Sequence, residues 1–366
     1  MTRSTTTSTE PPVVAVDANG ADLGPGEVAA GAALAAHQGA RVLLFGPRSE
    51  LGPALASTWE LGEGGSGQLP GGGIELVDAP LSIAKSPDPA RAARAHPDAS
   101  IVQAARAVAD GRAQALVCAG GTGAALAAGL FNVKRARGIH RPALALALPV
   151  PGHPVTLLDV GANAQSREEH LVQFAFMGAA LAQVVLGLER PRVGLLSNGE
   201  ESSRGSPLVV AAGAQLAGRL AAAAASAGGA PFELVGNVEG GDLTSGAADV
   251  VVTDGFTGNV ALKVVEGVSQ TMLRAIRDAA LSSPRAKLGG ALLRPALRSF
   301  RDEIDPEGQG GAYLLGLRRL GVVPHGSFTR HGFSQAILRA ARGAQDDLVG
   351  RTHAALERAG ALRGTR

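Results

Sequence analysis

The chain has 366 residues, 45% of them hydrophobic and 18% charged, which suffices for a packed core and excludes wholesale disorder. With 34 basic against 32 acidic residues the net charge is only +2, and aromatics are 3%, so neither a nucleic-acid footprint nor a base-stacking platform is present. Its 51 Gly and 21 Pro follow no triplet period, which excludes a collagen-like chain, and the length predicts two lobes or one large α/β unit.

In chain order, residues 1–12 read as a disordered tail, Ser/Thr-rich and without the apolar run of a secretory signal. Strands are then predicted at Val13–Asp17, Arg41–Gly46, Ile74–Asp78, Ala115–Gly120, Ala143–Pro149, Val155–Val160, Arg192–Asn198, Phe232–Asn237 and Ala248–Asp254. Alanine-rich segments of helical length separate most of them, a rhythm of βαβ crossovers. It predicts a doubly wound α/β fold with a largely parallel sheet and helices on both faces. Glu63–Gly73 reads as a Gly-rich surface loop and Ala221–Ala230 as a low-complexity insertion or helix end. Leu171–Leu188 is uncharged, but Gln173, Gln183 and two glycines favour a buried core or dimer helix over a membrane span. The main domain is expected over residues 13–343, in one body or two lobes, with a helical tail at 344–366. The single cysteine, Cys118, excludes an internal disulfide, and its apolar neighbours place it in a buried strand rather than at a nucleophile's position. A soluble protein of a reducing compartment is expected.

The ends of the strands carry the pattern. Asp17-Ala18-Asn19-Gly20, Gly120-Gly121-Thr122-Gly123, Asp159-Val160-Gly161-Ala162-Asn163, Asn198-Gly199-Glu200-Glu201, Gly236-Asn237-Val238-Glu239 and Asp254-Gly255-Phe256-Thr257-Gly258-Asn259 all follow apolar runs. In an open parallel sheet ligands bind outside the carboxyl ends of the strands, where such loops gather, and helix N-termini there favour phosphate or another anion. One such loop is most simply a helix cap; Gly beside the polar group in each adds room for a ligand at the backbone. No G-x-x-x-x-G-K occurs, Leu126 stands where a dinucleotide fingerprint needs its third Gly, and no G-x-S-x-G or H-E-x-x-H is present. The eight His are scattered, each read as structural or surface rather than as a metal ligand. From the residues alone, this is an α/β protein with an anion-binding rim and no covalent catalyst in view.

Taken in order, these loops resemble one family, the bacterial phosphate acyltransferases of phospholipid synthesis, or PlsX family. Besides the loops above, Glu169-His170-Leu171-Val172-Gln173-Phe174-Ala175, Pro191–Glu201, Gly236–Gly240, Asp249–Val260 and His325-Gly326-Ser327 carry the likeness from about residue 13 to 343. The resemblance implies a doubly wound fold akin to isocitrate/isopropylmalate dehydrogenases and phosphotransacetylases. It implies a homodimer that transfers a fatty acyl group from acyl carrier protein to inorganic phosphate. The product, an acyl phosphate, would feed a downstream membrane acyltransferase; no metal or organic cofactor and no nucleic-acid partner is expected. The sequence departs from the family's pattern at Gly121, usually Asn or Ser, at the weakly basic Arg91–His96 segment before Asp98-Ala99-Ser100, and at Asp305–Gly311.

Phosphate is itself a competent nucleophile, so the site needs orientation and charge stabilisation rather than an activated Ser or Cys. On this reading Gly120, Gly121, Thr122 and Gly123 hold phosphate together with Asp254, Gly255, Thr257, Gly258 and Asn259. Asn237 and Asn163 are oxyanion or phosphate donors, or else turn-formers. Arg204 and Lys263 supply compensating charge, or else are solvated surface residues. Asp17, Gly20, His325 and Ser327 complete the rim, with Asp17 either at the substrate or fixing the first βα turn. Three other readings stay open: transfer from acyl-CoA, a nicotinamide-dependent dehydrogenase on the related fold, and a non-catalytic anion-binding regulator. Finally, residues 284–303 alternate leucines with Arg285, Lys287, Arg294, Arg298 and Arg301, a basic amphipathic stretch suited to a membrane surface or to protein packing, with a kink expected at Pro295. The protein is thus expected in the cytoplasm, with a peripheral contact at the inner membrane surface.

Overall fold

The computed structural model describes residues 10–60, 73–225 and 229–363. Most of the predicted tail, most of the Glu63–Gly73 loop and the middle of Ala221–Ala230 lie outside them. Two compact units divide the chain. The first runs up to Arg137 and takes in Gly310–Arg351; the second is Gly138–Gln309 with the chain from Thr352 onward.

In the first unit, β1 (Val13–Asp17), β2 (Arg41–Gly46), β3 (Ile74–Asp78) and β4 (Ala115–Cys118) are joined by β10 (Ala312–Leu315) and β11 (Leu320–Val323), in the order β3-β2-β1-β4-β11-β10. All neighbours are parallel except the β10–β11 hairpin. Val14, Ala15 and Val16 of β1, all four residues of β4 and all four of β11 are buried, as strands covered on both faces require. Helix α1 (Pro25–His37) starts with Pro at its first position and buries Val28–Ala33. It packs on α10 (Arg330–Gln345), and at the crossing a Cβ on Gly31 would lie 2.7 Å from Phe333 Cβ and 2.8 Å from Arg330 O. The first unit also holds α2 (Arg48–Glu60), α3 (Pro89–Ala95), α4 (Ser100–Ala109) and α5 (Thr122–Ala128), the last running on into a π turn at Gly129–Val133.

The second unit contains β5 (Ala143–Leu148), β6 (Val155–Leu158), β7 (Arg192–Leu196), β8 (Glu233–Val238) and β9 (Val250–Val252), in the order β5-β6-β9-β7-β8. Only β5 runs antiparallel to its partner. Helix α6 (Glu168–Val185) covers the predicted uncharged run, and Leu171–Ala182 are buried throughout, so it is a core helix of this unit. Its Gln173 is 1% exposed and fully used: Nε2 donates to Gly138 O (2.9 Å) and Ala361 O (2.8 Å), while Oε1 accepts from His140 N–H (2.8 Å). One buried amide thus ties the start of the unit to the chain's C-terminal segment. Helix α7 (Pro207–Ala224) is long and apolar enough to cross a membrane, but Val209, Ala212, Leu216 and Leu220 form a buried stripe at helical spacing, as in a helix laid on a sheet. Beyond it come α8 (Gly255–Leu281) and α9 (Pro284–Glu303), the latter running through Pro295; α11 (Leu348–Arg358) closes the chain.

Candidate functional site

Because β1, β4 and β11 are parallel neighbours, the segments that follow them emerge at one edge of the first unit. These are Asp17–Gly20, Gly120–Gly123 and His325–Ser327, so the fold brings together every candidate the sequence placed in this unit. Gly20 has φ +116° and Gly120 φ +129°, a region closed to most side chains. A Cβ on Gly20 would lie 2.9 Å from Ala119 O, and one on Gly120 would overlap Gly20 O. The two loops therefore touch backbone to backbone.

At Gly121 a Cβ would stand 2.9 Å from Ala84 O and 3.0 Å from Ala84 Cα, so a side chain there, such as the Asn or Ser the resemblance implies, has no room. Ala84 and Lys85 form the corner of a turn closed by Ser86 N–H to Ile83 O (3.1 Å), which brings the backbone of the exposed Lys85 to the edge of the Gly120–Gly123 loop. Nothing in the composition of 79–86 signals that placement. Among the described residues, the N–H groups of Gly121, Thr122 and Gly123 find no acceptor, and α5 begins without a side-chain cap.

Beneath this loop lies a buried polar knot. Asp17, 2% exposed, accepts Asn19 N–H at 3.2 Å, and Cys118 Sγ is 3.6 Å from its other oxygen. Asn19 Nδ2 donates to Ala79 O (3.1 Å) and Ser100 Oγ (2.9 Å), tying in the segment that carries Ala84. Burial pushes the Asp17 carboxyl up to about 6, against the opposing hydrogen bonds from Ser100, Asn19 and Cys118. Burial first, and the Asp17 charge second, hold the Cys118 thiol well above its ordinary value. Cys118 is therefore a neutral thiol in a buried strand, and Asp17 fixes the first βα turn.

In the second unit, β6, β9, β7 and β8 are parallel, and the Asp159–Asn163, Asp254–Asn259, 198–204 and Asn237 segments share one edge. The hydrogen bonds change the roles expected there. Asn163 Nδ2 gives its two protons to Pro142 O (2.7 Å) and Asp159 Oδ2 (2.9 Å). Asn237 Nδ2 likewise donates to Glu201 O (2.7 Å) and Arg204 O (3.1 Å). In this structure both protons of each amide meet protein acceptors, the arrangement of a turn-forming side chain. Asp159, wholly buried, gathers the N–H groups of Leu144, Gly161, Ala162 and Asn163; burial raises its carboxyl above the ordinary value while these donors hold it down.

The Asp254–Asn259 loop is also committed. Gly255 N–H donates to Asn163 O (3.0 Å), and Phe256 and Thr257 N–H donate to Asp254 Oδ1 (3.0 and 2.9 Å). Gly258 N–H bonds Asp254 O (2.9 Å), and the Thr257 hydroxyl donates to Asp254 Oδ2 (2.7 Å). The Gly255–Gly258 N–H groups and the Thr257 hydroxyl are thus spent within the protein, mostly on an N-cap whose carboxylate already supplies negative charge. Gly255 and Gly258 accommodate protein instead of ligand: a Cβ on Gly255 would be 2.6 Å from Asp159 Oδ2, and one on Gly258 would overlap Asp159 O. Asn259 stays exposed, its side chain against Gly161. Arg204 pairs with Glu201 (3.6 Å) and Lys263 with Glu266 (2.7 Å), each one helical turn or less away and both cations more than half exposed. They are solvated surface charges.

Among the described residues the fold gathers one metal-ligand set the scattered histidines did not foretell: His140, Glu169 and His170, with ligand atoms within 4.8 Å of one another. Arg167 N–H, however, donates to His170 Nδ1 (3.2 Å). A metal on Nε2 would require a proton on Nδ1, facing that N–H, so the second shell does not suit a metal and His170 reads as part of a helix cap.

The comparisons with known proteins agree with this architecture. Two solved structures share the fold over most of both chains: the EutD phosphotransacetylase from Staphylococcus aureus (16% identity, TM-score 0.57, 91% of this chain and 94% of that one) and a phosphotransacetylase from Streptococcus pyogenes (15%, 0.58, 90% and 93%). Sequence relatives are nearer. The phosphate acyltransferase of Heliobacterium modesticaldum is 41% identical over 337 residues, 92% of this chain and 95% of its own. That of Thermobifida fusca is 43% identical over 331 residues, 90% of this chain and 87% of its own. The model of the family described as fatty acid synthesis protein matches residues 13–351. With this coverage and identity, the chain belongs to that family, the phosphate acyltransferases, and is an acyltransferase whose reaction involves phosphate.

Proposed function

We propose that the protein transfers a fatty acyl group from acyl-acyl carrier protein to inorganic phosphate, releasing acyl phosphate for phospholipid synthesis. The observation that carries this reading is the Gly120–Gly123 loop of the first unit. It follows a buried parallel strand, its Gly121, Thr122 and Gly123 N–H groups lack acceptors among the described residues, and Ala84, the residue before Lys85, packs against it. Such donors suit a phosphate oxyanion. The attacking group is phosphate itself. One of its oxygens forms the bond to the thioester carbonyl carbon, and the carbon–sulfur bond breaks to release the carrier thiolate. A thiol ordinarily titrating near 8.5 is a tolerable leaving group, so orientation and charge stabilisation supply the acceleration. The neutral, buried Cys118 fits a reaction without an acyl-enzyme. The test is to mix enzyme, phosphate and palmitoyl-acyl carrier protein and to follow free carrier thiol and hydroxylamine-trappable acyl phosphate. Product from palmitoyl-CoA but none from the carrier protein would reassign the donor; none from either would sink the reading.

The two long helices of the second unit support the remaining partners. Phe256, Val260, Val264, Val268, Met272 and Ile276 recur every fourth residue along α8 and are 41–65% exposed, an apolar stripe that suits a second copy of the chain in a homodimer. Helix α9 buries nothing and exposes Leu288, Leu292, Leu293 and Phe300 among its five basic residues. It suits an anionic bilayer at the inner surface of the membrane, where the lipid-like product meets a membrane acyltransferase. Wild type is expected to float with anionic liposomes at low salt and to release at high salt, and the folded Leu292→Glu/Leu293→Glu variant to stay behind. A wild type that does not float assigns the stripe to protein packing.

A further inference from the structure

The turn after β11 fixes the tautomer of a histidine. His325 is exposed, and its Nδ1 faces two groups of Ser327: the backbone N–H at 3.3 Å and the hydroxyl oxygen at 2.7 Å. A backbone N–H can only donate, so Nδ1 presents its lone pair, and the hydroxyl, which can rotate, donates to it as well. In the neutral ring the proton then sits on Nε2. The turn itself is held rigidly. Gly326 O accepts Asp22 N–H (2.8 Å), His325 O accepts Phe328 N–H (3.1 Å), and the buried Phe328 ring lies 6.2 Å from the imidazole. Arg330, just beyond, is locked to Glu27 by its backbone N–H (2.8 Å) and guanidinium (2.6 Å). Since β11 lies beside β4 and parallel to it, this turn leaves the sheet at the same edge as the Gly120–Gly123 loop.

We infer that His325 is a phosphate-binding residue that works as a neutral hydrogen-bond donor through Nε2–H, with Ser327 as the positioning residue that sets its tautomer. The inference rests on the acyl-transfer reading for the identity of the anion, but its geometry stands apart from it. No proton is transferred: Nδ1 is already occupied by two donors, so Nε2 cannot lose its proton without leaving an imidazolate. The role is orientation of an anionic oxygen of phosphate.

The experiment labels the histidines with ¹⁵N and records long-range ¹H–¹⁵N ring correlations of the full-length protein, with His325 assigned by its disappearance in His325→Gln. In the free protein Nδ1 is expected to read as unprotonated and Nε2 as protonated. Inorganic phosphate should shift the Nε2 signals, and chloride at equal ionic strength should not. In kinetics, His325→Ala should raise the phosphate KM about tenfold or more, the worth of one hydrogen bond to a charged group, with the acyl-donor KM unchanged. His325→Gln, which keeps an N–H donor on a side chain of similar reach, should recover most of that loss. Ser327→Ala removes the hydroxyl but keeps the backbone N–H at Nδ1, so Nε2–H should remain the tautomer in the spectrum while phosphate binding weakens less than in His325→Ala. A protonated Nδ1 in the free protein, ring signals unmoved by saturating phosphate, or equal rises in both KM values would overturn the inference. A wild type that makes no acyl phosphate would sink the reaction instead, and the phosphate titration of His325 would still be read on its own.

Discussion

Gly258→Ala is expected to destabilise the protein by roughly 3 kcal/mol or more, beyond the usual cost of one added methylene in a packed interior. The new Cβ would overlap Asp159 O and approach Thr253 Cγ2 to 2.9 Å. Neither neighbour can yield cheaply. Asp159 N–H is bonded to Thr253 O (3.2 Å) and Thr253 N–H to Leu158 O (2.7 Å), while the Asp159 carboxylate organises the whole 159–163 loop. Moving that backbone would strip a buried carboxylate of its donors, and an underserved buried charge costs several kcal/mol. Thermal or denaturant unfolding beside wild type checks the stability, and steady-state kinetics check the selectivity. Kinetic losses should follow the loss of structure and fall on both substrates. A well-folded Gly258→Ala with a rise in phosphate KM alone would restore the view that this glycine makes room for the anion.

That example shows where reading the residues reached its limit. The short β-branched and leucine-rich runs placed β1, β2 and β3 at their observed bounds and the other predicted strands within a few residues, because parallel strands, most of them buried, announce themselves by composition. The rule that ligand loops follow the carboxyl ends of such strands singled out loops that the fold does gather at one edge of each unit. Strands β10 and β11 were missed because Gly316, Arg318 and Arg319 break Ala312–Val323 into two apolar runs of four, too short to register beside the helix-forming segments around them. The division of labour among the loops was hidden for a different reason. Gly-Thr-Gly at 121–123 and Gly-Phe-Thr-Gly at 255–258 look alike as sequence. Only the partners distinguish them: a carboxylate at Asp254 caps the second, whereas no side chain among the described residues caps the first. The amide protons of Asn163 and Asn237 likewise go to acceptors that no residue spacing announces, Pro142 O and the Asp159 carboxylate for the first and Glu201 O and Arg204 O for the second. Nor does residue spacing announce that Ser327 N–H faces the His325 ring and sets its tautomer.

Asp17→Asn is expected to raise stability at pH 7 to 8 by about 1–3 kcal/mol and to flatten its pH dependence between about 4 and 6. The carboxyl titrates at about 6 in the folded protein against 3.8 for an ordinary Asp, a difference that corresponds to about 3 kcal/mol as an upper bound. Because the folded state holds the proton more tightly than the unfolded one, this group's contribution is fully present below 3.8 and is lost as pH rises through about 6. At neutral pH wild type therefore keeps an ionised carboxylate with 2% exposure, served by Asn19 N–H, Ser100 and the weak Cys118 thiol. An Asn of the same shape keeps an oxygen for Asn19 N–H and abolishes the buried charge, and its cost is the new amide donor that must settle for the Cys118 sulfur. Denaturant unfolding of both proteins from pH 4 to 8 separates the terms. If the desolvated charge dominates, the two curves converge near pH 4 and part as pH rises, with the variant above. If the variant lies below wild type at every pH, the hydrogen bonds outweigh the charge, and Asp17 is held at the foot of the Gly20–Gly120 contact for the turn it builds rather than tolerated there.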